Sequence, residues 1–275
     1  MLGLSEGNRW HWGSPATLTC AGLGTALMIT FVVNELRVPE PMLELEMFRS
    51  LTFTLAFGIS FVVVGVQYVR LVFVPLELET VEGHSAFTVG LSLAPAAILT
   101  AVGVTIGGRL ADRIGPRKPI IVGVATMVVA GFAVAAFGLR SPLWVLIVLL
   151  TIQGFGMGLH SSPATVAAMN TLPPDLVGQG STMRTLASQV SGAVFVAGLG
   201  ALLSLSTPTD PSASQARDAF EVVFYAAFLA LAAALVMALF LRPGPPVGAD
   251  LADDADAEER RLEIEEVVEI LSTVE

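Results

Sequence analysis

Residues 85–139 are SAFTVGLSLAPAAILTAVGVTIGGRLADRIGPRKPIIVGVATMVVAGFAVAAFGL, two long apolar runs joined by a short basic segment. Within this stretch no charged residue precedes Arg109 or follows Lys118. A helix needs roughly 20 apolar residues to cross the roughly 30 Å of hydrocarbon in a bilayer, and each run has about that length. The stretch therefore predicts two membrane-spanning helices connected by a charged loop at one membrane surface.

Five further charge-free runs flank this pair, separated by charged or turn-forming residues. Hydrophobic residues make up 54 % of the 275 residues and charged residues 14 %, whereas a soluble domain carries roughly 25 % charged side chains. The sequence thus predicts an all-α, polytopic membrane protein with about seven transmembrane helices in one bundle. The predicted spans lie near residues 16–34, 51–74, 86–107, 119–139, 142–162, 185–206 and 221–241.

The segments outside the predicted bundle of residues 16–242 differ in charge. Residues 1–15 form a polar and aromatic leader of the kind found at membrane interfaces. Residues 243–275 form an acidic tail, which accounts for most of the net charge of −10. Nothing in the chain resembles the basic patch of a nucleic-acid-binding protein.

The distribution of lysine and arginine predicts the orientation, because short cytoplasmic loops are enriched in these residues. The side that holds the loop between the third and fourth spans carries Arg37, Arg49, Arg109, Arg113, Arg117, Lys118, Arg184 and Arg242. The other side carries Arg9, Arg70, Arg140 and Arg217. We therefore expect a multi-pass protein of the cell membrane with this loop and the acidic tail in the cytoplasm.

The loop between the third and fourth spans contains an ordered pattern of glycine, aspartate and basic residues. Gly103 and Gly107 form a GxxxG pair, which lets two helices approach closely in a membrane. Asp112 lies among arginines, so its carboxylate can pair with one of them or face the N-terminus of a neighbouring helix. Gly115 suits a turn with positive φ, and Pro116 ends the preceding helix.

This pattern resembles the cytoplasmic signature of the major facilitator superfamily, G-x-L-a-D-r-x-G-r-r. Gly108, Leu110, Asp112, Arg113, Gly115, Arg117 and Lys118 supply it, with Pro116 inserted before the basic pair. The form DRIGPRK is similar to the copy in the second half of fourteen-span drug:proton antiporters. Residues 45–50, 94–95, 153–158 and 172–178 are similar to the same branch, and the resemblance covers residues 10–242.

The resemblance implies a transporter made of two helical bundles, of which this chain supplies the second. It implies export of small organic compounds in exchange for protons. In such export this bundle would rock against a second bundle, which is a missing N-terminal half or a partner chain. It also implies that the loop biases one conformation by charge pairing. The expected gating residues are Gly108, Arg109, Asp112, Arg113, Gly115, Arg117 and Lys118.

Polar side chains inside the predicted spans are candidates for a substrate path. They are Gln67, Tyr68, Gln153 and Gln189. Amides and hydroxyls within a membrane also form hydrogen bonds between helices, so a packing role remains an alternative for each of them.

Ionisable groups are scarce inside the predicted spans. Arg70 is expected to snorkel towards the outer surface, with a role in a pathway as the alternative. His160 is expected to lie at the interface, and Glu221 to cap the last helix. No acidic residue falls in the middle of a predicted span, and in the resembling family the proton-binding acids lie in the first half. This half is therefore not expected to drive proton-coupled efflux by itself.

Other functional classes lack their required residues in this sequence. The single lysine, Lys118, lies in a loop, whereas a retinal protein needs a lysine within a span. No HExxH motif or Gly-x-Ser-x-Gly elbow is present, so neither an enzyme nor a metal or cofactor site is expected. A truncated or scaffold membrane protein without transport activity remains the alternative function.

Overall fold

The computed structural model of this chain describes residues 30, 48, 50–137, 140–170, 172, 176–208 and 211–241. In these residues we find six long helices and no strand, which confirms the all-α architecture. The helices are α1 (Leu51–Thr80), α2 (Ala86–Ile114), α3 (Arg117–Ala136), α4 (Leu143–Met169), α5 (Val177–Ser206) and α6 (Ala213–Leu239). Apart from Thr30, the span expected near 16–34 lies outside the described residues, as do the leader and the tail.

All six helices are long and apolar enough to cross a bilayer. Five of them contain 27 to 30 residues, and a 27-residue helix is roughly 40 Å long at 1.5 Å per residue. That length exceeds the roughly 30 Å of the hydrocarbon core. The chain is a multi-pass membrane protein whose helices project into the polar layers.

Five of the six helices extend well beyond the apolar runs that predicted them, whereas α3 ends at Ala136 and not near 139. α1 continues past residue 74 to Thr80, α2 past residue 107 to Ile114, and α4 past residue 162 to Met169. α5 begins at Val177 rather than near 185, and α6 begins at Ala213 rather than near 221. The apolar runs mark only the hydrocarbon, whereas a helix continues into the interface, where water and head groups solvate its charged side chains.

The bundle is organised around α4 and α1. α4 lies between α2 and α3 and packs along both of them, while α2 and α3 touch each other little. α1 contacts α4, α5 and α6, and α3 also packs on α6. Phe53, Val124, Leu150 and Phe224 represent the buried apolar core, which forms where α1, α3, α4 and α6 meet.

Glycines set the spacing of α4 against both of its neighbours. A Cβ atom on Gly103 would lie 2.5 Å from the carbonyl oxygen of Phe155, and one on Gly107 would lie 2.6 Å from that of Leu159. On the other side of α4, a Cβ atom on Gly123 would lie 2.6 Å from the carbonyl oxygen of Gly156. These backbones are in direct contact, and the expected close approach at Gly103 and Gly107 is confirmed.

Serine side chains cap three helix N-termini. Ser50 and Ser85 accept hydrogen bonds from the backbone of the first turns of α1 and α2. Ser212 and Gln215 form a capping box at the start of α6, with 2.9 Å between the Ser212 backbone nitrogen and the Gln215 Oε1. The expectation that Glu221 caps this helix is wrong, because α6 begins eight residues earlier, at Ala213.

Candidate functional site

Most of the basic signature is helical in the structure. Gly108 to Arg113 continue α2, which ends at Ile114. Gly115 then adopts a φ of 79° and donates its backbone N–H to the Ala111 carbonyl at 3.0 Å. A positive φ favours glycine, so the expected turn is confirmed at this residue. α3 follows at once, with Pro116 as its first flanking residue.

The charged residues of the signature have unequal roles in the fold. Arg109, Asp112, Arg113 and Lys118 are exposed. Among the described residues Asp112 forms no ion pair, so the structure does not show its expected pairing with a neighbouring arginine. Arg117 instead donates a hydrogen bond from NH2 to the Leu239 carbonyl oxygen at 2.8 Å. This contact places a cation at the C-terminal end of α6, where the helix dipole favours it.

Replacing Arg117 by glutamine is expected to lower the free energy of unfolding by about 0.5–1 kcal/mol, because a charge at a helix C-terminus is removed. Lys118→Gln is the matched control, because Lys118 is the next residue and is exposed. The hydrogen bond to the Leu239 carbonyl of α6 comes from Arg117. Thermal unfolding of the purified protein in detergent measures both. Equal stability of the two variants would contradict a structural role for the Arg117 contact.

Two of the four predicted path residues lie together. The Tyr68 hydroxyl of α1 donates a hydrogen bond to Gln189 Oε1 of α5 at 3.0 Å. Gly192 makes room for the Tyr68 ring, because a Cβ atom there would lie 2.6 Å from Tyr68 Cδ2. Gln67, next to Tyr68 on α1, is half-buried. Tyr68 and Gln189 therefore belong to the α1–α5 contact.

The fourth path residue, Gln153, lies apart from them inside the bundle. Its side chain is 1 % exposed, and neither amide atom finds a hydrogen-bond partner among the described residues. One turn earlier on α4, the Leu150 carbonyl oxygen accepts a hydrogen bond from Arg70 NH1 at 3.3 Å. Arg70 of α1 therefore contacts α4 one turn away from Gln153.

Arg70 and His160 are both more buried than expected. Arg70 is 5 % exposed and donates into the bundle, so the expectation that it snorkels to the surface is wrong. His160 is 2 % exposed, lies within α4, and its Nδ1 has no hydrogen-bond partner among the described residues. Protein therefore encloses His160, while its depth at the membrane interface stays a prediction. The close contact of α3 with α4 at Gly123 encloses His160, and Arg70 contacts the Leu150 carbonyl. Both contacts depend on helix packing, which the local sequence does not specify.

Sequence reasoning missed the buried carboxylate of Glu77. The apolar run ends before this residue, but α1 continues to Thr80 and carries Glu77 to a fully buried position. The signal that marks this position is periodic: Arg70 and Glu77 are seven residues apart, two turns of a helix, and therefore lie on the same face.

A cleft of about 150 Å³ opens between α1 and α5 near the end of the bundle that holds Gly115. Its polar lining comes from both helices and consists of Ser60, Ser181, Arg184, Thr185 and Ser188. Sequence reasoning missed this set, although Ser181, Thr185 and Ser188 recur at the spacing of one helix face.

Ion pairs connect the helices at the opposite end of the bundle. Arg140, between α3 and α4, pairs with Glu221 of α6 at 2.5 Å and with Asp218 at 3.0 Å. The hydrogen bond to Glu221 raises the pKa of Arg140 above its usual value. Arg217 of α6 pairs with Glu82 in the α1–α2 connection, with 2.9 Å between Nε and Oε1.

Comparison with known proteins identifies the family of this helical bundle. The family model described as Major Facilitator Superfamily matches residues 8–197 and, in a second and overlapping match, residues 60–272. Each match covers more than half of the chain. The chain belongs to the major facilitator superfamily. The resemblance found at the signature of α2 and Gly115 is thereby confirmed.

Several curated members of the superfamily are similar to this chain. It is 30 % identical over 194 residues to the uncharacterized MFS-type transporter YhcA of Bacillus subtilis, covering 70 % of this chain and 36 % of YhcA. It is 30 % identical over 197 residues to the lincomycin resistance protein LmrB of Listeria monocytogenes, covering 72 % of this chain and 42 % of LmrB. It is 29 % identical over 216 residues to the multidrug resistance protein Stp of Mycobacterium tuberculosis, covering 77 % of this chain and 40 % of Stp.

The matched part of this superfamily member is shorter than these relatives. It spans between about one third and one half of the length of each of the three.

Proposed function

We propose that this chain is one of two helical bundles of an exporter that moves small organic compounds across the cell membrane in exchange for protons. Membership of the superfamily supports transport rather than catalysis. Relatives named for resistance to lincomycin and for multidrug resistance support an amphipathic organic substrate. The second bundle is a missing N-terminal half or a partner chain.

The observation that carries this proposal is the exposed face of α5. Of its thirty residues only Gly180, Ser191 and Gly192 are buried. The exposed residues include Ser181, Thr182, Arg184, Thr185 and Gln189, a set of hydroxyl, amide and guanidinium groups. Exposing such groups to hydrocarbon is energetically unfavourable, so in membrane proteins they face other protein segments or a water-filled cavity.

The exposed faces of α3 and α6 carry mainly apolar side chains, whereas the exposed face of α5 combines its polar groups with apolar residues such as Leu186 and Leu205. Val122 and Val129 project from α3, and Val222, Leu229 and Val236 project from α6. Lipid tails solvate such aliphatic side chains well, so these two helices face the bilayer. The contrast supports a second bundle on the α5 side and lipid on the α3–α6 side.

The substrate path of this proposal runs along the α1–α5 side. The cleft with Arg184, the Tyr68–Gln189 hydrogen bond and Gln67 line it in succession, and Gln153 lies deeper in the bundle. Rocking of the two bundles exposes this side alternately to the two membrane surfaces. The loop residues 108–118 lie at the end that we place in the cytoplasm, together with the tail of residues 243–275.

The two exposed valines Val194 on α5 and Val129 on α3 offer a matched test. Each is replaced by tryptophan in the native host, in a strain that lacks the wild-type chain, and efflux of ethidium is measured. Val194→Trp is expected to reduce efflux by about tenfold, equivalent to about 1.4 kcal/mol, because the indole obstructs contact with the second bundle. Val129→Trp is expected to leave efflux unchanged, because lipid accommodates the indole.

Two outcomes would contradict the proposal. Equal efflux by the two tryptophan variants would mean that α5 faces lipid and that no second bundle packs there. Unchanged efflux of ethidium, a tetracycline and lincomycin in the strain without the chain would support a membrane protein without export activity. Immunoblots of the membrane fraction verify that both variants are inserted in equal amounts.

Asp112→Asn tests the gating role of the loop. The substitution keeps the size of the side chain and removes its charge, and Asp112 is exposed, so insertion is expected to remain intact. Efflux is expected to fall by about fivefold or more, equivalent to about 1 kcal/mol of bias between two conformations. Efflux equal to that of the wild type, at equal amounts in the membrane, would remove Asp112 from the mechanism.

A further inference from the structure

The carboxyl group of Glu77 is enclosed near the end of α1 that lies opposite Gly115. The residue is 0 % exposed. Neither Oε1 nor Oε2 has a hydrogen-bond partner among the described residues. An ionised carboxylate in this position lacks both water and a donor, and that is a highly unfavourable environment for the charge.

A small cavity connects this carboxyl group with the ionisable residues of the α1–α2 connection. Its volume is about 20 Å³, enough for one water molecule. Glu77, Glu82, His84 and Ser141 supply its polar lining, and leucines of α1 and α4 complete it. Glu82 and His84 lie towards the surface, so the cavity lies between the carboxyl group and the outer end of the bundle.

The charged groups nearest the cavity, Glu82 and Arg217, pair with each other and not with Glu77. Glu82 shares the cavity and is negative, and Arg217 of α6 already pairs with Glu82. His84 is the other titratable group of the cavity lining, while α4 contributes Leu143 and Leu146. No cation among the described residues forms an ion pair with Glu77.

We propose that Glu77 is a proton-binding site of this chain, which exchanges its proton with the outer membrane surface through the cavity beside Glu82 and His84. In the enclosed state the proton is held on the carboxyl group. When the outer end opens, the carboxylic acid gives this proton to water and becomes a solvated carboxylate. Closure requires a proton from water to return to the carboxylate.

The ion pair between Arg217 and Glu82 closes the route. It connects α6 to the α1–α2 connection next to the cavity. Separation of α6 from this connection breaks the pair and admits water to Glu77. The link between proton uptake by Glu77 at the outer surface and substrate export rests on the proposed function, whereas the proton site itself does not.

Infrared difference spectroscopy of the purified full chain in nanodiscs tests the site directly. Spectra recorded between acidic and alkaline pH, in light and in heavy water, report the carbonyl stretch of a protonated carboxyl group. The wild type is expected to show such a band from a buried group, and Glu77→Gln is expected to lose it. Glu79→Gln is the matched control, because Glu79 is exposed two residues further along the same helix, and it is expected to keep the band.

A second variant keeps Glu77 and changes its surroundings. Arg217→Gln leaves the negative charge of Glu82 unpaired, so the band is expected to persist to higher pH than in the wild type. A band that survives in Glu77→Gln, or a wild type without the band, would overturn the proposal. An unchanged titration in Arg217→Gln would overturn the route past Glu82. The infrared experiment contains no substrate, so its result does not depend on export. A protein that shows the band but does not export ethidium would contradict the proposed function and leave the proton site intact.

Discussion

Gly103→Leu is expected to separate α2 from α4 and to lower the free energy of unfolding by about 3 kcal/mol or more, the upper range for overpacking. A Cβ atom at this position would lie 2.5 Å from the Phe155 carbonyl oxygen and 3.1 Å from the Gly158 Cα atom. Both are backbone atoms of α4, so no side-chain rotation relieves the clash. Because lipid tails are as apolar as the helices, close packing is a main source of helix association, and its loss is not compensated.

Gly90→Leu on the same helix is the control for this prediction. Apart from the local backbone of α2 itself, no atom lies within 4 Å of the position that a Cβ atom would take at Gly90. Size-exclusion profiles after heating in detergent compare the folded fraction of the two variants with that of the wild type. Equal loss of folded protein in both variants would show that leucine in α2 is harmful irrespective of the α4 contact.

Arg70→Met is expected to stabilise the bundle while reducing transport. The guanidinium is 5 % exposed, donates one hydrogen bond to Leu150, and its Nε has no partner among the described residues. Replacing a poorly compensated buried charge by an apolar side chain of similar length is expected to raise the free energy of unfolding by about 1–4 kcal/mol. Ethidium efflux is expected to fall, since a buried charge within a span is typically functional.

Arg70→Lys separates the effect of charge from that of size. Lysine keeps the charge but offers no planar fork, so this variant is expected to be less stable than the wild type and than Arg70→Met. Thermal unfolding in detergent measures the order of the three proteins. A methionine variant less stable than the wild type would show that the guanidinium stabilises the fold and would contradict the expected trade-off.

The six helices were predictable because each depends on a property of its own segment of sequence. Each charge-free run is long enough to span hydrocarbon, and water-free lipid leaves a helix as the only solution for such runs. The ends were not predictable in this way. Arg184 and Glu77 lie inside α5 and α1, because a helix tolerates charged side chains wherever they find water or burial among neighbouring helices.

The turn and the close helix contacts of the candidate site were predictable from glycine and proline. Gly103 and Gly107 contact the backbone of α4, and Gly115 adopts a positive φ, as the sequence predicts. The hydrogen bond between Tyr68 and Gln189 and the ion pair between Arg140 and Glu221 join residues far apart in the chain. They depend on how the helices are arranged, which no local pattern specifies.

The position of α4 between two glycine-lined neighbours has a consequence for biogenesis. α2 and α3 leave the ribosome before α4, touch each other little, and each presents a strip of exposed backbone until α4 arrives. The short connection at Gly115 and Pro116 joins them at one end only, so α4 must insert between two helices that are already in the membrane. A chain released before residue 143 would leave those strips against lipid, and such intermediates are natural clients of an insertase or a membrane protease.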